Sequence, residues 1–465
     1  MYYSIIKLLT RMLQRINHFL INYFNYNPVK TVDVFTPTKA ADLNYIERPE
    51  LEKQIVSSLD MPGKQILIFG HSGSGKTTVV RRLLNKNKYR FIKVHCEKTT
   101  TFNDILLEAF DRLDLYVTVE KTFLKGNKIH GKLSTEYRSI KSELASEISE
   151  QEGQKQERLL PSRLTPQKLA IFCGEGGITL IIEDFHKVEE IEKKRIADLL
   201  KIFVDNANDY PKSQIICIGA CENVTDLVKL EPNLKCRVDE CKVAMLSDKY
   251  IGLIVENGCR LLNVTMEDSL RDKIIYYSAR IGSQAHQMCY DIFLAKGIKC
   301  RQRKPVHLKD IDFEHAVRGF LNANEGTLST VYDAAVRNEL GWYILKTFSR
   351  NQQDKLSFKE ICKIVNQSKM TFLEDEILEK LDELCSSEFG VIYYNANSGK
   401  YSLASPFWHS FLRMQFAHED AEKRKAEQDR HNKNLRINYI DKNSKEATVD
   451  RLLLEYLKML SERYK

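Results

Sequence analysis

Five short apolar runs punctuate the first half of the chain, at 65–69, 91–95, 178–182, 214–219 and 241–246. Runs of this length, rich in Ile, Leu and Val, read as strands buried on both faces, because a strand covered by helices on each side needs no polar alternation. Between them, apolar positions recur three and four residues apart and predict helices ending near Ser58 and spanning 101–115 and 190–207. Strands alternating with helices predict an α/β chain built on a parallel sheet, with a ligand site beyond the carboxyl ends of the strands.

After Ser247 the strand signal stops. Helical spacing at 250–262, 267–281, 284–295 and 313–321 predicts a small helical lid over 247–326. Residues 327–416 change pattern again, with helices expected at 329–348, 357–365 and 371–384, strands at 391–394 and 400–403, a connecting wing and a returning helix at 407–416. That order predicts a winged-helix domain. The strand-and-helix core is expected over 45–246, with a polar insertion at 118–165.

The flanks are amphipathic. Ile5, Ile6, Leu8, Leu9, Met12, Leu13, Ile16, Phe19 and Leu20 recur at helical spacing, opposite Lys7, Arg11, Gln14, Arg15 and His18. Residues 1–27 are thus expected to form a basic amphipathic helix. Such a helix packs on its own core, docks on a partner protein or lies on a membrane surface, and the first two are favoured here. No unbroken apolar region or small-residue cleavage site makes it a signal peptide. Residues 28–44, with Pro28 and Pro37, read as a linker. The stretch 417–465 reads as a charged tail ending in an amphipathic helix with Leu452, Leu453, Leu454, Leu457 and Leu460.

Composition narrows this only a little. The 465 residues are 43% hydrophobic and 29% charged, ordinary for a soluble chain of several domains. The formal charge of +8 permits contact with nucleic acid or anionic lipid and demands neither. The 11 cysteines form no C-x-x-C pair and no zinc pattern, which fits reduced thiols in a cytoplasmic protein. Lys296, Lys299, Arg301, Arg303 and Lys304 make a basic loop, read as a solvated turn in preference to a DNA contact.

The chemistry concentrates after the first strand. Gly70, His71, Ser72, Gly73, Ser74, Gly75, Lys76 and Thr77, followed by Thr78, form a complete G-x-x-x-x-G-K-[ST] phosphate loop between a strand and a helix. Its glycines let backbone N–H groups approach an anion. Lys76 is expected to reach the β- and γ-phosphates of ATP, and the Thr77 hydroxyl to ligate Mg²⁺. Glu183 and Asp184 end the third strand, where one carboxylate would organise Mg²⁺ and the other polarise water, in an order the residues leave open. Asn223, after the fourth strand, is a candidate γ-phosphate sensor, and Arg237 is either an arginine finger toward a neighbouring subunit or a surface arginine.

With these residues the chain resembles the AAA+-related P-loop ATPases, in particular the group holding the origin-recognition/Cdc6-like initiators and the STAND signalling ATPases. The segment Tyr45-Ile46-Glu47-Arg48-Pro49-Glu50-Leu51-Glu52 is similar to the motif that opens those domains beside adenine, which implies a nucleotide contact for Arg48. Ile181-Ile182-Glu183-Asp184-Phe185-His186 is similar to the Walker B form of some STAND proteins, with Glu183 where aspartate is usual. Gly282-Ser283-Gln284-Ala285-His286 falls where initiators carry a lid arginine. His286 is there either a nucleotide contact or a packed lid histidine, and the missing arginine implies slow or regulated turnover.

The resemblance implies a Mg²⁺-dependent ATPase that alternates between ATP and ADP states and self-associates with ATP, as a bacterial signalling or defence switch would. An effector or partner would meet the N-terminal helix or the C-terminal tail. The alternative is a DNA-binding initiator-like or transposition-regulator-like ATPase. Against it, the expected recognition helix carries Glu374, Asp375, Glu376, Glu379, Asp382 and Glu383 with Lys380 alone, a face that phosphates would repel.

Overall fold

A computed structural model of the chain describes residues 28–123, 164–221, 232–351, 355–367, 370–396, 398–430 and 459. The expected helix at 1–27, Asn223, most of the polar insertion and the terminal leucine-rich helix lie outside the described residues. One compact unit runs to Phe320 and takes in Ser405–Phe407, and a second comprises Leu321–Ala404 and the chain from Trp408 on.

The first unit is built on five parallel strands, β1 (Gln65–Gly70), β2 (Arg90–His95), β3 (Ile178–Glu183), β4 (Ile215–Ala220) and β5 (Val238–Lys242), in the order β2-β3-β4-β1-β5. Every residue of β1 and β3 is buried, as expected for strands covered on both faces, the polar Gln65, Thr179 and Glu183 included. Ile66, Ile68, Ile181, Ile216 and Ile218 meet Ile55, Val79 and Leu83 from the Pro49–Asp60 and Lys76–Lys86 helices. Leu67, Ile92, Val94, Leu180, Ile182 and Cys217 face the opposite layer, formed by the Phe102–Phe123, Pro166–Gly176 and Glu190–Asp205 helices. Each such side chain contributes roughly 1.5–3 kcal/mol on burial. The register pairs Gly70 with Ala220 and His95 with Glu183, so the carboxyl ends of four strands converge on one edge.

β5 lies three residues earlier than its apolar run suggested. As an edge strand it is buried only at Val238 and Cys241, one in each core layer, while Glu240 and Lys242 are exposed. The Val243 amide still donates to Phe69 O (2.7 Å), after which the chain turns to the lid and Leu246 N donates to Arg280 O (3.2 Å).

The lid contains the helices Asp248–Leu262, Asp268–Tyr277, Gly282–Ala295 and Phe313–Ala323. Ser247 caps the first by accepting from Tyr250 N, and Asn263 ends it in the left-handed region. A parallel pair, β6 (Val264–Met266) with β7 (Val306–Leu308), joins these helices; at three residues each, the strands are too short to register as periodicity.

The stretch 28–44, read as a linker from its prolines, packs on the lid as a strap. Val34 and Phe35 are fully buried. Phe35 stands edge-on to Phe293 (5.0 Å between centroids) and lies over Gly258, where any Cβ would collide with its ring. Thr31 donates from N to Lys299 O (3.0 Å) and from Oγ1 to Ile298 O (2.7 Å).

The second unit packs the helices Glu339–Arg350, Phe358–Val365 and Glu374–Cys385 with an antiparallel sheet of β8 (Lys355–Ser357), β9 (Ile392–Asn395) and β10 (Lys400–Leu403) in the order β8-β10-β9. The helix expected over 329–348 is broken into Thr330–Ala335 and Glu339–Arg350. Asn338 caps the second piece by accepting from Gly341 N (2.9 Å), and the absent side chain of Gly341 lets the Ala335 carbonyl approach.

Candidate nucleotide-binding site

β1 delivers the chain to Gly70, and Gly70, Gly73 and Gly75 all take positive φ (146°, 81° and 88°). A Cβ at Gly70 would meet the Val243 carbonyl, so the turn is open only to glycine. Gly75 caps the Lys76–Lys86 helix, whose first N–H groups have no intrahelical partner and face the loop. The Lys76 ammonium donates to Gly70 O (2.8 Å) and His71 O (2.7 Å). Burial lowers its pKa, opposed by its neighbours Cys221 and Asp184.

Residues 72–78 line a cavity of about 1040 Å³, closed on one side by the strap from Thr36 to Arg48 and on another by Leu246, Ile254, Gly282, Ser283 and His286 of the lid. Gly70 and His71 contribute through the carbonyls that hold Lys76. Arg48 ties the strap to the loop by donating to Ser74 O (2.7 Å) and Ala244 O (3.0 Å), and burial lowers its pKa. Tyr45 donates to Glu52 (2.8 Å) and lies under the Arg82 guanidinium (4.4 Å).

Polar demand in this cavity is unmet. Ser74 Oγ, Thr36 Oγ1, Asn44 Oδ1 and Arg82 Nε are buried without hydrogen-bond partners, and all four residues line it. Each such group costs about 1–3 kcal/mol. A ligand with phosphate oxygens and a polar heterocycle would fit this set of donors and acceptors. Thr36, Asn44 and Arg82 escape a motif reading because no fixed spacing joins them to the phosphate loop.

The acidic pair divides. β3 ends at Glu183, and Asp184, outside it with φ 58°, lines the cavity and pairs with Lys187 (2.7 Å). Glu183 is only 8% exposed and turns toward β2, where it meets Lys93 Nζ (3.1 Å) and His95 Nδ1 (3.3 Å). Phe185 is buried in the core, and His186 accepts at Nδ1 from Ala220 N (3.1 Å), joining the ends of β3 and β4. Burial lowers the His186 pKa, opposed by Asp184.

His286 is buried, lines the cavity and accepts at Nδ1 from Thr36 N (3.2 Å), so it is packed between the lid and the strap at the cavity wall. Burial pulls its pKa down to about 4. Arg237 sits at the amino end of β5, its carbonyl accepting from Gln65 N (3.0 Å) and its guanidinium 3.3 Å from Asp205. That edge is the length of β1 away from the phosphate loop, roughly 16 Å at 3.3 Å per residue, so Arg237 does not join this cavity.

A family model described as an AAA domain matches residues 61–222. A comparison with curated proteins found no match. Among solved structures the chain is similar to a Walker-type ATPase of Pyrococcus abyssi, at 14% identity over 82% of this chain and 99% of that one, with a TM-score of 0.50. It is also similar to Cdc6p of Pyrobaculum aerophilum, at 13% identity over 84% and 99% of the two chains with a TM-score of 0.40. A third similar structure is the ORC1 protein of Aeropyrum pernix in complex with DNA, at 13% identity over 84% and 98% with a TM-score of 0.38. The five-stranded parallel sheet and the phosphate loop at its carboxyl edge thus form a P-loop NTPase core of the AAA+ fold.

Proposed function

We propose that the chain is a Mg²⁺-dependent, ATP-hydrolysing switch of the STAND/AAA+ type, which changes conformation or assembly with its nucleotide state. The observation that carries this reading is the construction of the cavity from three parts at once. The phosphate loop forms one wall, the strap the second and the lid the third, joined by Arg48–Ser74 and His286–Thr36. A ligand gripping all three walls favours one arrangement of lid on core, which is the differential affinity a switch requires.

In this reading Lys76 exchanges the carbonyls of Gly70 and His71 for phosphate oxygens. The Thr77 hydroxyl and Asp184 hold Mg²⁺, which when bound offsets phosphate charge. Asp184 is the carboxylate on the cavity side and orients the attacking water, while Glu183 acts behind it through Lys93 and His95. The lid offers His286 where related ATPases place an arginine, which favours slow, regulated turnover. Bacterial signalling or defence, with self-association in the ATP state, suits such a switch.

A DNA-binding, initiator-like ATPase is the second reading. Three helices with the β8-β10-β9 sheet in the second unit are the parts a winged helix needs. The Glu374–Cys385 helix weighs against its use in a groove, because its lone cation, Lys380, is buried and paired with Glu383 (2.9 Å). Steady-state phosphate release at fixed salt, with and without duplex DNA, tests both. Slow turnover indifferent to DNA supports the switch, strong stimulation by DNA supports the initiator-like reading, and no hydrolysis under any condition removes both.

A further inference from the structure

The second unit holds a cavity of its own, about 550 Å³ in volume, which shares no lining residue with the nucleotide site. Its size is ordinary for a small-molecule site. The Glu339–Arg350 helix supplies Trp342, Tyr343, Lys346 and Arg350, and the last turn of the Phe358–Val365 helix supplies Ile364 and Val365. Trp342, Lys346 and Arg350 follow one another at four-residue spacing, so they form one stripe along the first helix. Beside the stripe, the Thr347 hydroxyl donates back to Tyr343 O (2.9 Å), and this short side chain leaves the space between the helices open.

The charge along this stripe is incompletely matched. Lys346 stands over the Trp342 ring, 3.9 Å from its centroid, with only 18% of its side chain exposed. Among the described residues it donates no hydrogen bond, and its ion-pair partner, Asp420, stays 3.9 Å away. Asp420 instead holds Arg350 (3.0 Å), and Glu419 accepts from the Tyr332 hydroxyl (2.6 Å) and Trp342 Nε1 (3.0 Å). Lys423 also lies over Trp342 (5.2 Å), so three cations face two carboxylates. Burial, then the neighbouring Arg350, lowers the Lys346 pKa. A largely buried ammonium with three donors and no acceptor is costly until an anion reaches it.

Asp420 shows the chemistry that the stripe accepts, an oxyanion beside two cations one helical turn apart. The remaining walls are apolar or aromatic, with the rings of Trp342 and Tyr343 on one helix and Ile364 and Val365 on the other. An inorganic anion would satisfy Lys346 and leave those walls uncovered. A flat apolar body carrying a carboxylate or a phosphate uses both. We propose that this cavity binds a small aromatic anion, whose ring lies against Trp342 and Tyr343 and whose oxyanion pairs with Lys346 and Arg350. The proposal is independent of nucleotide binding by the phosphate loop.

Calorimetric titration of the full chain tests it with three probes of similar shape, diphenylacetate, diphenyl phosphate and the uncharged diphenylmethanol. At least one of the two anions is expected to bind saturably, at least about tenfold tighter than diphenylmethanol. Which anion binds tells whether the site takes a carboxylate, a phosphate or either. Lys346→Met and Arg350→Gln should each weaken the anion at least about tenfold and leave diphenylmethanol nearly unchanged. The Arg350 side chain is 60% exposed, so Arg350→Gln is expected to fold even where Lys346→Met does not, and circular dichroism checks both. The chain has two tryptophans, Trp342 and the buried Trp408. The bound anion should change the fluorescence of Trp408→Phe and not that of Trp342→Phe. Lys76→Met should bind the anion as wild type does. No saturable binding of either anion, equal affinity for diphenylmethanol, or indifference to both cation substitutions overturns the proposal. So does loss of binding in Lys76→Met, which would put the anion in the phosphate loop.

Discussion

Lys93 and Glu183 are joined across adjacent strands, Nζ to Oε1 at 3.1 Å, and this pair turns Glu183 away from the cavity that Asp184 lines. Asp184→Ala is therefore expected to slow phosphate release by about 10²–10⁴-fold while leaving ATP affinity within a few-fold. Glu183→Gln should cost at least about tenfold less than that. Single-turnover phosphate release on both variants decides the order. If Glu183→Gln proves as damaging as Asp184→Ala, the assignment of the cavity-side carboxylate is reversed.

Lys76 is held by two loop carbonyls, those of Gly70 and His71, and in the proposed reading exchanges them for phosphate. Wild type held at about one hundred times its Kd for ATP should gain about 2.7 kcal/mol of stability, visible as a rise in Tm. Lys76→Met should show no such rise. An unchanged ATP-dependent shift in the variant would mean that the anion is bound elsewhere.

His286 makes stability depend on pH in a defined direction. Its ordinary pKa of 6.5 falls to about 4 in the folded chain because burial disfavours the imidazolium. The unfolded chain takes up this proton below about pH 6.5, and the folded chain only below about 4. The neutral residue thus contributes its full stability above pH 6.5 and loses it as the pH falls toward 4, by about 3 kcal/mol across the window. His286→Asn can keep an acceptor for Thr36 N but does not titrate. Denaturant melts between pH 4 and 7 should show a shallower decline for the variant, and parallel curves would contradict this account.

Phe35 in its socket fixes the strap. Phe35→Ala should cost about 3–5 kcal/mol, and Gly258→Ala about 1–3 kcal/mol by pressing a methyl group into the ring. Both should raise hydrogen exchange across residues 36–48 and weaken ATP binding, since those residues form a cavity wall. Faster exchange confined to the lid helices, with residues 36–48 unaffected, would separate the strap from the site.

Much of the core was legible because its signals are local. β1 and β3 are dominated by the apolar runs Ile66–Phe69 and Leu180–Ile182, and the phosphate loop is one contiguous motif whose glycines announce its backbone. The edge strand β5 was misplaced because Asp239, Glu240 and Lys242 make it too polar to register beside the apolar run that follows. The strap was illegible for a different reason: Thr31 bonds Ile298 at a separation of 267 residues, and Phe35 is buried only because Gly258 leaves room for it. Neighbouring letters also concealed the division of Glu183 from Asp184, since the strand ends between them and Asp184 turns in the left-handed region. The cavity's unpaired polar atoms at Thr36, Asn44 and Arg82 come from three separate stretches that only the folded chain brings together.

The strap also decides where this protein can be shortened. A fragment beginning at Tyr45, the obvious cut before the first long helix, would discard Phe35 and leave an apolar socket between Gly258 and Phe293 open to water. It would also discard Thr36 and Asn44 from the cavity wall. Such a fragment would keep every residue of the phosphate loop and still be expected to aggregate and bind nucleotide poorly, whereas one that begins at Pro28 retains every contact by which the described residues seat the strap on the lid.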